Sequence, residues 1–128
     1  MNAISLTTQL ADYKAAFVAR VDPARVAVME SATSTLRESG IEASALTAGQ
    51  AAPDVVLPNA VGTPVRLSDL WTSGPLIALF YRGGWCPYCN LELRAWQKQL
   101  DAVVKANARI VAISPQTPDN SLSTQQKN

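Results

Sequence analysis

Two short apolar runs, with a helical stripe between them, constrain this chain most. Leu76 to Tyr81, LIALFY, is a continuous apolar run bounded by Gly74-Pro75 and Gly83-Gly84, as suits a strand buried on both faces. Leu93, Trp96, Leu100 and Val103 then recur at helical spacing, and Asn107, which tolerates the left-handed conformation, ends the stripe. Arg109 to Ser114, RIVAIS, reads as the next strand. Strand, helix and strand in that order predict a right-handed crossover joining two parallel strands of an α/β sheet. Such sheets place their sites beyond the carboxyl ends of the strands, and here that position holds GGWCPYC.

Cys86 and Cys89 are the only cysteines, and the chain has no histidine. A helix starting at Cys86 puts Pro87 in the first helical position, where a missing N–H costs nothing. Cys86 is then the N-cap. Its sulfur is expected to face the backbone N–H groups of Tyr88 and Cys89 and the positive end of the helix dipole, which favours thiolate over thiol. Such placements bring cysteine pKa values from about 8.5 into the range ~3.5 to 7.5, and Arg82 is a candidate to add positive charge. Cys89 lies one turn further in, within disulfide reach of Cys86, so the pair is expected to cycle between dithiol and disulfide.

Other readings of the pair fare less well. Zinc needs four ligands, which one chain with two cysteines and no histidine cannot assemble from sulfur and nitrogen. Haem attachment fails because Asn90, not histidine, follows Cys89. A structural disulfide or two inert buried thiols is the plain alternative; the preceding glycines, the internal proline and the strand-to-helix turn weigh against it. Trp85 and Tyr88 flank the thiols, either as an apolar lip for a substrate or partner or as packing around the turn.

The remaining chain divides into an extension and a domain. Residues 1–46 read as a helical hairpin: Leu6, Leu10, Phe17 and Val21 mark one helix, Asp22-Pro23 start the next, Val26, Met29, Thr33 and Leu36 form its stripe, and Gly40 stops it. This is an oligomer contact, a cover over the site, or a packing appendage. Residues 47–128 read as the α/β domain. It opens with two β-prone pieces, Val55 to Leu57 and Val65 to Leu67, around a loop containing Pro58, Asn59, Gly62 and Pro64. Ser68-Asp69 offers a cap for a helical turn through Leu70 and Trp71, and a further helix start is placed at Asn120 or Ser121.

With 48% hydrophobic and 16% charged residues, the chain has apolar material for a core. A net charge of +1 without a basic stripe gives no reason to expect nucleic acid, and no apolar run reaches membrane length. The N-terminus carries no basic-then-apolar leader, so a cytoplasmic location is the default expectation. In that reducing setting a close cysteine pair is more often redox-active or metal-binding than a permanent staple.

The blocks GQAAPDVVLPNAVGTPVRLSDL, LIALFYRGGWCPYCNLEL and IVAIS, spanning about residues 47 to 114, resemble the peroxiredoxins of the alkyl hydroperoxide reductase and thiol-specific antioxidant family. The resemblance implies a thioredoxin-like sheet. Peroxiredoxins carry a proline, a threonine four residues later, the peroxidatic cysteine three after that and a glutamate three beyond. Laid on this sequence, the peroxidatic role falls on Cys89 and the glutamate on Glu92, while Arg82 stands at the proline position and Cys86 at that of the threonine. A thioredoxin-style WCPYC thus sits in a peroxiredoxin frame, as in one peroxiredoxin-like branch. The family's catalytic arginine, closing strands and last helix come later than residue 128, so the C-terminal part of the fold is expected to be absent.

The resemblance implies a thiol peroxidase acting on hydrogen peroxide or organic hydroperoxides through a cysteine sulfenic acid and a Cys86–Cys89 disulfide. It needs no cofactor or metal, and an external dithiol such as thioredoxin or glutaredoxin restores the pair. One alternative is a thioredoxin-like disulfide oxidoreductase in which Cys86 attacks and Cys89 resolves; a second is a non-catalytic oligomerisation or binding module. Helix physics thus favours Cys86 as first attacker, and the family frame favours Cys89. Unpaired sheet edges predict a homo-oligomer or weak stability.

Overall fold

A computed structural model describes residues 4–118; the helix start placed at Asn120 or Ser121 lies outside these. The described residues form two compact units, one from Thr7 to Pro53 and the other from Asp54 onward together with Ile4 to Leu6.

In the first unit, α1 (Leu6–Arg20) and α2 (Pro23–Glu38) are followed by a 3-10 turn at Ile41–Ser44. Asp22 caps α2 by accepting the Ala24 N–H at 2.8 Å, with Pro23 in the first turn. Gly40 ends it with φ +73°, a left-handed conformation that favours glycine. The stripe expected on α2 is not buried: Met29 and Leu36 are exposed, and neither helix carries a buried side chain.

The second unit begins with an antiparallel hairpin of β1 (Val56–Pro58) and β2 (Pro64–Arg66). Asn59 shapes its loop, its side-chain carbonyl accepting the N–H groups of Val61 at 3.0 Å and Thr63 at 2.9 Å. The helical turn α3 (Leu67–Trp71) follows, but not with the cap read from Ser68-Asp69. Asp54 supplies it from upstream, accepting the Ser68 N–H and hydroxyl, each at 3.0 Å, and pairing with Arg66 at 3.0 Å.

β3 (Leu76–Phe80) and β4 (Arg109–Ile113) pair in parallel, as their order required, with Leu76 opposite Arg109 and Phe80 opposite Ile113. At the amino ends, Arg109 donates to the Pro75 carbonyl at 2.9 Å, and Asn107 donates its side-chain amide to Ser73 at 2.9 Å. Asn107 has φ +54°, the left-handed turn expected of it. The stripe between the strands is two helices rather than one: α4 (Pro87–Gln97) closes in a tight turn, Gln99 donating to the Trp96 carbonyl at 2.8 Å, and α5 (Leu100–Lys105) begins anew.

β3 is not buried on both faces. Leu79 looks toward the helices, while Ala78 and Phe80 point the other way and Phe80 is 77% exposed. Through Ala78 and Phe80, one face of an apolar strand thus meets solvent. The core is correspondingly thin, its buried apolar side chains among these residues being Cys86 and Val103. Leu57, Val65, Leu79, Leu93, Trp96 and Ile110 line an apolar groove of about 560 Å³ beside β4.

Candidate active site

The ladder of β3 continues one residue past the strand, Tyr81 donating to Ile113 at 3.0 Å, before the chain turns over the first turn of α4. Gly83 has φ +147°, and a side chain there would crowd the Trp85 indole at 2.6 Å. Cys86 closes the turn by donating its N–H to Gly83 at 2.9 Å, and its carbonyl accepts from Asn90 at 3.1 Å to start the helix. Cys86 is therefore the N-cap residue with Pro87 behind it, as the sequence predicted.

The expected sulfur cap is absent. Cys86 makes no side-chain bond to a backbone N–H at the helix start; its sulfur instead accepts the Cys89 thiol proton at 2.7 Å. Cys86 is 2% exposed and Cys89 half-buried, so the inner and outer sulfurs of the pair are distinct. Both are free thiols. Burial first, and then the proton shared with Cys86, push the Cys89 thiol above its ordinary value; the Arg82 N–H, 3.5 Å from the sulfur, partly offsets this.

Of the other candidates, Arg82 reaches the thiols through its backbone N–H, while its guanidinium stacks 4.6 Å from the Trp85 ring centre. Trp85 is exposed, at 64%, and Tyr88 is half-buried in the first turn of α4. Glu92 stands three residues beyond Cys89 on α4 and forms no ion pair among the described residues. The apolar groove beside β4 stops short of both sulfurs. No cluster of three or more metal-ligating side chains occurs among the described residues, and no helix there is long and apolar enough to cross a membrane.

Two residues at the turn escaped sequence reasoning. Gln116, after β4, accepts the Gly84 N–H on its side-chain carbonyl at 2.9 Å, and Asn90 donates its amide to the Gly84 carbonyl at 2.9 Å. The only signal for Asn90 was its place beside Cys89. Gln116 had none, since its partner is 32 residues away.

A CxxC pair at the turn from a parallel strand into a helix defines the thioredoxin-like class. Within that class, the AhpC/TSA family matches residues 48–128, and the chain belongs to it. The chain is also similar to the crystal structure of peroxidoxin BcpB from Mycobacterium tuberculosis, with 27% identity and a TM-score of 0.62. That likeness covers 64% of this chain and 53% of the other, so the chain spans about half the length of its structural neighbour. Among curated proteins none matches.

Proposed function

We propose that the chain carries the thiol centre of a peroxiredoxin-type peroxidase in which Cys89 meets peroxide and Cys86 resolves. The observation that carries this reading is the 2.7 Å contact between the sulfur of a half-buried outer cysteine and that of a buried inner one. The Cys89 thiolate attacks one oxygen of a hydroperoxide; the O–O bond breaks, and water or an alcohol leaves after protonation. Cys89 is then a sulfenic acid. Cys86 attacks that sulfur as thiolate, the oxygen departs as water, and the disulfide forms between atoms already adjacent. A dithiol donor of the thioredoxin or glutaredoxin kind returns two electrons by thiol–disulfide exchange.

Cys86→Ser and Cys89→Ser variants, treated with hydrogen peroxide and a sulfenic acid trap, test this by site-resolved mass spectrometry. Label on the variant that retains Cys89 is expected; label at Cys86 alone overturns the assignment.

One observation favours a second reading. Cys89 holds its proton toward Cys86, an arrangement suited to a disulfide reductase in which Cys86 attacks and Cys89 resolves. The 2% exposure of Cys86 stands against it, because a protein disulfide has to reach the attacking sulfur. Insulin reduction without peroxide consumption would select this reading; no redox-linked mass change with either oxidant would leave a binding module.

A further inference from the structure

We infer that Gln116 is a positioning residue for the thiol pair: it holds the turn from Arg82 to Cys86 so that the Arg82 N–H meets the Cys89 sulfur. A closed ring of bonds supports this. Tyr81 and Ile113 bring the ends of β3 and β4 together, and the Ser114 hydroxyl accepts the Gln116 N–H at 3.2 Å, fixing the backbone from which the glutamine reaches out. Its carbonyl takes the Gly84 N–H at 2.9 Å; the Gly84 carbonyl takes the Asn90 amide at 2.9 Å; and Asn90 follows Cys89 on α4. Gly83 and Gly84 are both buried, so a polar group of either peptide that lost its partner there would be costly to leave unpaired. A Cβ on Gly83 would sit 3.1 Å from the Gln116 side chain, which shows how closely the clamp is seated.

The inference deepens the proposed function, since it rests on Cys89 being a reactive thiol. It adds a part of the chain remote from the CxxC segment to the machinery. Gln116 touches neither sulfur; it acts through Gly84 and Arg82.

The test reads the thiol without peroxide. Iodoacetamide alkylation of the reduced full chain is followed at Cys89 by peptide mass spectrometry across pH, for wild type and Gln116→Leu. Cys86 and Arg82 are the ionisable groups that face the Cys89 sulfur, and both are retained. Losing the Arg82 N–H is expected to raise the Cys89 midpoint, because that bond favours the thiolate. Gln116→Glu, which keeps an acceptor, is expected to preserve the hydrogen-bonded Arg82 amide resonance that Gln116→Leu loses. An unchanged Cys89 midpoint and Arg82 resonance in a folded Gln116→Leu protein overturn the proposal. If that variant does not fold, Asn90→Ala cuts the clamp from the other side, with the same expectation and the same overturning result. Sulfenic acid trapping is separate, so failure of the peroxidase reading would show there while the alkylation result still decides this one.

Discussion

Cys89 donates its proton to Cys86 across 2.7 Å, and this more accessible sulfur of the pair belongs to a thiol that burial pushes above its ordinary value. At Cys89, access and acidity therefore pull in opposite directions. On the proposed reading, reaction with a small oxidant follows access, provided the outer thiol ionises.

That proviso gives a pH dependence. A thiol held above its ordinary value of about 8.5 becomes thiolate only as pH climbs beyond it. Peroxide consumption by the reduced protein is expected to keep rising through and above pH 8.5, with no plateau near neutrality. The linked stability has the opposite sense: a raised folded-state value contributes stability below the unfolded value, lost as pH rises through the folded one. Urea midpoints of reduced wild type should fall above about pH 8.5, and those of Cys89→Ser should fall less.

Asp54 joins the β1–β2 hairpin to α3 through Ser68 and Arg66. Its carboxyl is held below the ordinary range, chiefly by the Ser68 N–H and then by Arg66 and the Ser68 hydroxyl. A depressed value means stability present above about pH 3.9 and lost as pH falls through the folded value. Asp54→Ala is expected to lower the melting temperature at pH 7 and to flatten its acid dependence, measured by circular dichroism.

Gly74 adopts φ +149°, and a Cβ there would collide with the Asn107 backbone carbonyl. Neither group is the end of a flexible side chain. Gly74→Ala is expected to cost about 1–3 kcal/mol by equilibrium urea unfolding, since the strained backbone cannot relax without opening the amino ends of β3 and β4.

Val103 and Val104 are neighbours with opposite fates, 8% and 71% exposed. Val103→Ala removes one of the few buried apolar groups and should cost about 1.5–3 kcal/mol, whereas Val104→Ala should stay within about 0.5 kcal/mol. Equal losses would show that the helical stripe is packed differently in solution.

Local signals were readable in the sequence. Asp22-Pro23, Gly40, Cys86-Pro87 and Asn107 each announce a helix end through side chain or backbone chemistry confined to a few residues, and each stands where expected. Element order alone settled the parallel pairing. What escaped was non-local or comparative. The Asp54 cap reaches 14 residues ahead and the Gln116 bond 32 back, distances at which no propensity operates. The break at Lys98–Gln99 has neither glycine nor proline to mark it. Phe80 looked like core because its neighbours are apolar, but burial depends on what lies across the sheet. The sulfur geometry was legible to within one turn, though not the choice of Cys86 for a thiol proton over a backbone N–H.

The pairing of β3 with β4 also acts as a ruler. Leu76 opposite Arg109 fixes, several rungs later, where Gln116 arrives relative to Gly84. A slip of one rung would carry the glutamine about 3.3 Å along the strand and send the side chains of β4 to the other face. Lengthening α5 leaves that measurement alone, because the distance is taken along the ladder and not around the crossover. Insertions and deletions should therefore be tolerated between Lys98 and Asn107 far better than between Arg109 and Gln116, although neither segment contains a cysteine.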